Sequence, residues 1–308
     1  MISSISPDVA ILLATYNGES YIREQVASIA SQKLCTPHLF VSDDGSTDNT
    51  VAVLLQACHE FSLSCEVVTV NRLPLLTSRS SANNFYNLIL NAALPDGIKW
   101  VAFCDQDDIW YPCHLSRAME KLSANAAIGG YSSSVVAFWG DGRTRFIQKN
   151  GYISRFNHLF ESPGPGCSIV LSKSVFHVVR RILFEHLSVA SAIDFHDWLV
   201  YAAVRSRGYE WIIDSKPSLF YRQHSNNVIG VGGSLRSWRR RFGMVSDSWY
   251  RSQCLQIAIL CNQESALPIR LLSRFSILDR VRLFLFWPFL RRRSRDRLIL
   301  SFAFLFMR

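Results

Sequence analysis

Three strand-length apolar runs early in the chain each stop in a polar cluster, and this repeated stop restricts the fold more than any other feature. Val9 to Ala14 ends in Thr15-Tyr16-Asn17-Gly18-Glu19, Leu39 to Ser42 in Asp43-Asp44-Gly45-Ser46-Thr47, and Ile98 to Cys104 in Asp105-Gln106-Asp107-Asp108. A short continuous apolar run is the pattern of a strand buried on both faces. Between the runs the spacing turns helical. Glu19 to Ser31 places Ile22, Val26, Ile29 and Ala30 on one side, Asp48 to about His59 follows a cap at Ser46 or Thr47, and Asn83 to Ala93 forms a third helix after a strand at Cys65 to Val70. This alternation predicts a right-handed α/β fold, a mixed, mainly parallel sheet flanked by helices. Ligands of open α/β sheets lie beyond the carboxyl ends of the strands. The three polar clusters are therefore expected on one edge.

Three carboxylates within four positions at a buried strand's end are costly unless paired or bound to a cation. Their oxygens suit a hard divalent ion such as Mg²⁺ or Mn²⁺, which in turn holds phosphate oxygens. No Gly-x-Gly-x-x-Gly follows the first strand and no P-loop is present, so phosphate is expected on the metal and not in a glycine-rich cradle.

Further along, Pro112 opens a helix to about Ser123, Tyr131 to Trp139 reads as a strand, and Asp141-Gly142 as a turn. Ser162 to Cys167 is a loop before a strand at Ser168 to Leu171, and Ser172 or Ser174 starts the next helix. Ile193 to Trp198 opens a helix through Val204, with Asp194 as its cap. Glu210 to Asp214 and Ser218 to Tyr221 read as two short strands. The eight cysteines include no Cys-x-x-Cys and no zinc-type pairing with His, and the N-terminus lacks the pattern of a secretory signal, so a reducing, cytoplasmic protein is expected.

Charge is unevenly placed. From Arg236 onwards there are fifteen Arg, no Lys and four acids, an excess larger than the whole-chain net charge of +9, so the first 235 residues are slightly acidic. In this tail, Ser237 to Gln263 has helical spacing, and the apolar runs Val281 to Leu290 and Leu298 to Met307 are separated by Arg291-Arg292-Arg293-Ser294-Arg295. Neither run reaches the roughly 18–20 residues that span a bilayer. Arg-flanked apolar segments suit an interfacial helix on anionic lipid, the alternative being a helical hairpin packed on the rest of the chain.

Leu13 to Glu19, Ser42 to Asp48, Cys104-Asp105-Gln106-Asp107-Asp108-Ile109-Trp110, His196-Asp197-Trp198 and Tyr221-Arg222-Gln223-His224-x-Asn226-Asn227 jointly resemble family 2 glycosyltransferases of the GT-A fold. They are most similar to the bacterial rhamnosyltransferase-like members that build surface polysaccharide such as O-antigen. The resemblance spans roughly residues 8–232. It implies a catalytic domain over 1–234, with a nucleotide-sugar half to about 110 and an acceptor half from 111, and a basic, apolar helical tail over 235–308. Thr15, Tyr16, Asn17, Glu19, Asp43, Asp44, Asp105 and Gln106 are then expected at the donor nucleotide, with Tyr16 stacking on the base, Asp43 recognising it and Asp44 bracing the Gly45-Ser46 turn. Asp105, Asp107 and His224 are expected to hold Mg²⁺ or Mn²⁺. Asp197 is the expected general base, with Asp108, Trp110, Gly166, Cys167, His196 and Trp198 on the acceptor and sugar side and Trp198 stacking on a sugar ring. Arg79 is a weaker candidate at the diphosphate.

The expected reaction is single-displacement transfer with inversion, from dTDP-L-rhamnose or a related dTDP- or UDP-linked donor to a polyprenyl-diphosphate-linked glycan at the inner face of the cytoplasmic membrane. UDP-hexose or UDP-N-acetylhexosamine transfer is the alternative on the same fold. A nucleotidyltransferase calls for a glycine-rich basic loop after the first strand, which Thr15 to Glu19 is not. A non-catalytic glycan-binding scaffold fits poorly with the presence of both Asp107 and Asp197. A nucleic-acid binder calls for a basic groove in the folded domain, whereas the charge here lies in the tail.

Overall fold

The computed structural model describes residues 8–68, 80–224 and 248–307. One nine-stranded sheet organises the chain: β1 (Val9–Thr15), β2 (Pro37–Asp43), β3 (Ser64–Val67), β4 (Trp100–Asp105), β5 (Ile109–Trp110), β6 (Ile128–Trp139), β7 (Thr144–Ile147), β8 (Val170–Ser172) and β9 (Glu210–Gln223). The order is β3-β2-β1-β4-β8-β6-β9-β5, with β7 on β6. The first half, β3-β2-β1-β4, is parallel throughout. The second half is mixed, since β8 runs antiparallel to β4 and β6 while β9 runs parallel to β6. β1 is buried at every position, as a strand covered on both faces must be. The register sets Thr15 opposite Asp43 and Ala14 opposite Asp105, so the three polar clusters do share one edge.

The helices are α1 (Ile22–Ala30), α2 (Thr50–Glu60), α3 (Ser81–Asn91), α4 (His114–Ser123), α5 (Lys173–Glu185), α6 (Leu187–Ala190), α7 (His196–Ser206) and, in the tail, α8 (Ser248–Leu260), α9 (Leu267–Arg274), α10 (Ile277–Leu285) and α11 (Ser294–Phe306). Most expected elements are present with ends moved by a few residues. Ser172 caps α5 by accepting from the Val175 N–H. Three expectations need correction. Neither Ser46 nor Thr47 caps α2, whose N-cap is Asn49. Ser46 is held in the preceding turn, where its hydroxyl bonds Asp43. Asp194 does not cap α7. Phe195 is the N-cap, and the Asp194 carboxylate accepts from Trp249 Nε1 at 2.6 Å. The two short strands are one, β9. Pro217 has no N–H to donate, but the register against β6 slips between Ser133 and Ser134, so the proline sits at a bulge and the strand continues. Of the tail helix expected from Ser237, the part before Ser248 lies outside the described residues, as do Arg79, Asn226 and Asn227.

Hydrophobic contacts join the tail to the first domain. Tyr250, Cys254, Ile257, Leu290, Leu300 and Phe304 belong to the same buried cluster as Phe85, Phe103, Phe160 and Trp198. Phe304 is fully buried and meets the Phe160 ring edge-on at 6.4 Å. Phe304→Ala should therefore lower the stability of the whole chain by about 3–5 kcal/mol, read as a lower urea midpoint in a single transition. An unchanged midpoint would show that the tail does not contribute to the core.

Candidate active site

The edge is assembled from loops that hold each other. Asn17, at φ 46°, donates its N–H to Ser46 Oγ (2.8 Å) and accepts the Thr47 N–H at Oδ1 (2.8 Å). The Gly18 N–H bonds Thr50 Oγ1 at 2.8 Å, and Glu19 accepts from both the N–H and the side-chain amide of Asn49 at 3.0 Å. Gln106 reaches across from the end of β4. Its Oε1 accepts from Thr15 Oγ1 (2.6 Å) and the Tyr16 N–H (2.9 Å), and its Nε2 donates to the Tyr16 carbonyl (3.0 Å). A β-carbon at Gly18 would lie 2.2 Å from that Oε1, so a larger residue there would displace the Gln106 amide from these bonds. Behind the edge, buried Asn84 on α3 donates to the Thr15 and Ser42 carbonyls at 3.1 and 3.0 Å, tying the ends of β1 and β2 together.

Of the expected nucleotide residues, Asn17, Glu19 and Gln106 thus spend their polar atoms on bracing the loops. Tyr16 is 43% exposed at the rim. The turn after β2, whose bracing was expected of Asp44, is bonded to Asp43. Asp43 braces the turn, accepting from the Gly45 and Ser46 N–H groups at 3.1 and 2.8 Å, because Gly45 at φ 83° turns those N–H groups back onto it. Asp44 follows, its N–H bonded to the Thr15 carbonyl at 3.0 Å.

Beyond β4 the carboxylates converge. Pairing of Ile109 and Trp110 with Phe220 and Leu219 of β9 brings the end of that strand over the acidic turn. His224 Nε2 lies 2.6 Å from Asp107 Oδ2, and its ring stacks on Tyr21 at 5.1 Å. Arg222 donates its N–H to Asp108 Oδ1 (3.0 Å) and its Nε to the Asp107 carbonyl (2.7 Å), and pairs with Glu24. Its guanidinium lies between the Tyr21 and Phe138 rings, 4.9 and 4.5 Å from their centroids. The other oxygen of the buried Asp108, Oδ2, has no hydrogen-bond partner among the described residues. Ligand atoms of Asp105, Asp108 and Cys167 all lie within 4.8 Å of one another.

Burial and the charges of Asp107 and Asp197 push the Asp105 carboxyl up to about 7, against a bond from Cys167. Burial, Asp107 and Asp105 raise Asp108 well above the carboxylate range. The Cys167 thiol is likewise raised by burial and the adjacent carboxylates, so it stays protonated. This donor set fits a hard divalent cation: oxygens dominate, one buried oxygen lacks a partner, and the mutual repulsion is what a cation relieves.

Asp197 opens α7, and burial pushes its carboxyl up to about 6, opposed by hydrogen bonds from Ser162 and the Trp198 N–H and by the charge of Lys149. The residues expected on the sugar side form a buried layer behind it, which corrects that expectation. Trp198 is 4% exposed, donates Nε1 to the His158 carbonyl at 2.9 Å and stacks on Tyr250, so it has no face for a sugar. Trp110 packs on His114 at 4.3 Å. His196 stacks on Phe85 at 3.7 Å, and burial drops it to about 3, keeping it neutral. Gly166 abuts His196, where a β-carbon would lie 2.3 Å from Nε2. Asp108 and Cys167 are fully buried and position their neighbours. Close packing of large side chains beneath the catalytic edge accounts for all six. Sequence reasoning missed Tyr21, Asn84, Lys149 and Ser162 altogether, and quoted Arg222 in a motif without giving it a role. Asparagines within an otherwise apolar helix signalled Asn84, whereas nothing local marked Lys149 or Ser162.

Comparison with known proteins gives a consistent result. Residues 10–187 match the profile of Glycosyl transferase family 2. The chain is 37% identical over 287 residues, 93% of its length and 96% of the relative's, to a dTDP-rhamnosyl transferase, RfbG, of Shigella flexneri. It is 28% identical over 180 residues, 55% of its length and 62% of the relative's, to the Escherichia coli UDP-Glc:alpha-D-GlcNAc-diphosphoundecaprenol beta-1,3-glucosyltransferase WfgD. Among solved structures, S. aureus TarS 1-349 in complex with UDP-GlcNAc superposes with a TM-score of 0.53 at 14% identity, covering 97% of this chain and 90% of that one. The mannosyltransferase PcManGT of Pyrobaculum calidifontis, in complex with GDP-Man and Mn²⁺, gives 0.50 at 15% identity over 98% and 88%. These two show the same fold.

The raised Asp105 value yields a pH prediction. The folded state keeps a proton that the unfolded chain releases near pH 4, so that proton's contribution is present at low pH and is lost as pH rises through about 7. A divalent cation takes the proton's place. The rise in Tm caused by Mn²⁺ should therefore be larger at pH 8 than at pH 6, and smaller in Asp107→Asn. Stabilisation by Mn²⁺ independent of pH would contradict the assignment.

Proposed function

The chain belongs to the family 2 glycosyltransferases, and from that premise we propose that it transfers L-rhamnose from dTDP-L-rhamnose to a lipid-linked glycan with inversion. The observation that carries the reading is the cluster of Asp105 and Asp108 at the strand edge, beside Asp107 in contact with His224 and within electrostatic reach of Asp197. The donor is supported by the RfbG relative, which matches nearly the full chain. A diphosphate-lipid acceptor is supported by the name of the WfgD relative, which also favours the second reading, a UDP-hexose donor on the same site.

Tyr16 stacks on the base, with Asp43 held by its turn to accept the imino N–H of thymine or uracil. Asp105, Asp107 and His224 would hold Mg²⁺ or Mn²⁺, whose chemistry when bound is to neutralise charge on the departing diphosphate. Asp197 takes the proton of the acceptor hydroxyl. Its pKa of about 6 makes it a stronger base than an exposed carboxylate while leaving it ionised at neutral pH. Attack from the Asp197 side with departure from the cation side is a single displacement, which inverts the anomeric centre.

The tail suits a membrane surface. No helix of the described residues is long and apolar enough to cross a bilayer. Ile277, Val281 and Leu285 on α10 and Leu298 and Phe302 on α11 are exposed, and Phe284 meets Phe302 edge-on at 5.4 Å, which sets the two helices side by side. Exposed Arg293 and Arg295, together with exposed Arg274 and Arg282 that pair with Asp279, add basic charge to the same helices, a composition suited to anionic lipid. We propose on this ground that the enzyme works at the inner face of the cytoplasmic membrane.

Rhamnosyl transfer assayed with dTDP-L-rhamnose and a diphosphate-lipid glycan should give product of inverted anomeric configuration. Asp197→Asn should lower kcat by about 10²–10⁴-fold. The wild-type kcat should fall tenfold per pH unit below about pH 6, where Asp197 becomes protonated. Retained configuration, or full activity in Asp197→Asn, would sink the mechanism. Binding to vesicles containing anionic lipid should weaken by about tenfold in Leu285→Glu; equal binding would remove α10 from the docking face.

A further inference from the structure

We infer that Arg222 is a positioning residue that fixes Asp107 for the cation from the main-chain side, with α1 as its anchor. The inference rests on the reading that Asp107 and His224 hold that cation. Asp107 lies between two residues that are tied elsewhere. Gln106 bonds Thr15 and Tyr16 of the first loop, and Asp108 Oδ1 accepts the Arg222 N–H at 3.0 Å. Among the described residues, the hydrogen bonds to Asp107 itself come from the end of β9. Arg222 Nε donates to its carbonyl at 2.7 Å, and His224 Nε2 lies 2.6 Å from its Oδ2.

The two bonds differ in what a cation leaves of them. The His224 contact uses the side-chain atoms that would take the ion, so it cannot also serve as their brace. The Arg222 bond uses the main-chain carbonyl and takes neither ligand atom. Groups that orient a ligand without touching the ion set much of a site's affinity. The guanidinium is itself fixed. Its side chain is 15% exposed and pairs with Glu24 on α1, and it lies 4.9 and 4.5 Å from the ring centroids of Tyr21, which precedes α1, and Phe138 on β6. Tyr21 also stacks on the His224 ring at 5.1 Å, the planes 17° apart.

A planar fork that lies over two rings and donates in two directions at once is a task for arginine and not for lysine. Through this one side chain α1, β6 and β9 meet the acidic turn. Some ties survive its loss. The 222 main-chain N–H stays on Asp108, and Ile109 and Trp110 stay paired with Phe220 and Leu219. Removing the guanidinium therefore falls on Asp107, whose carbonyl loses its donor, and leaves Asp108 in place. Charge alone predicts the opposite sign, since taking a positive group away from the site would tighten binding of a cation.

The test uses the full chain as wild type, as Arg222→Met, which keeps the aliphatic stem, as Arg222→Lys, which keeps the charge, and as Asp107→Asn. Mn²⁺ is titrated in the presence of dTDP, and the electron paramagnetic resonance signal of unbound Mn²⁺ gives the bound fraction. The thermal midpoint without metal reports folding. Arg222→Met should raise the Mn²⁺ Kd by about tenfold. Arg222→Lys should lie between it and the wild type. In rhamnosyl transfer the Mn²⁺ concentration for half-maximal rate should rise in step with Kd, while kcat at saturating Mn²⁺ stays within about threefold, a split that a general loss of structure does not give. Unchanged or tighter Mn²⁺ binding in folded Arg222→Met would overturn the proposal. If Arg222→Met does not fold, wild-type affinity in Arg222→Lys overturns it instead. Equal Mn²⁺ binding by the wild type and Asp107→Asn would remove Asp107 from the ligand set and take the underlying reading down with the proposal, an outcome distinct from the other two.

Discussion

Repulsion among carboxylates at the end of β4 is the constraint to which the rest of the site answers. Asp105, Asp107 and Asp108 are fixed within one turn by a strand buried on both faces, and Asp197 adds a fourth acid within electrostatic reach. Left alone, such a group would be protonated or pulled apart. Arg222 ties the acidic turn to β9, its backbone N–H donating to Asp108 Oδ1 and its Nε to the Asp107 carbonyl, while its guanidinium pairs with Glu24 and lies over two aromatic rings. His224, two residues on, reaches Asp107 directly. The remaining imbalance is one that a divalent cation would satisfy, and affinity for such a cation would then follow from how firmly these acids are kept together.

Rigidity of the edge follows from the same logic. Each strand end is tied to another: Asn17 and Glu19 to the second cluster, Gln106 to the first, Asn84 to both. Several residues of a nucleotide-site pattern thus brace the loops that carry Tyr16 and Asp43. Preorganised donors and acceptors do not have to be reoriented as charge develops on the leaving group. Behind the acceptor side the same role passes to packing, with Trp198, His196 and Gly166 filling the layer beneath Asp197.

The parallel half of the sheet and the convergence of the three clusters were legible in the residues, because a short apolar run ending in polar residues has few other solutions. Asp107 with His224 was legible through the motif as a whole, since 117 positions separate the pair and no local rule connects them. The continuous β9 was not legible, because Pro217 reads as a strand breaker until the bulge that accommodates it is seen. The sugar-side tryptophan was misread for a general reason: an aromatic beside a catalytic acid is equally suited to a ligand face or to the core, and burial alone decides. Lys149 carried no signal, since its charge reaches Asp197 through tertiary contacts made far along the chain.

The central claim is that the acid cluster binds the donor's diphosphate through a cation. Calorimetric titration of dTDP into the protein, with and without Mn²⁺, in the wild type and in Asp107→Asn, tests it most directly. The account predicts binding in the wild type that requires the metal and is lost in the variant. Binding of equal strength without metal, or undiminished in Asp107→Asn, would contradict it.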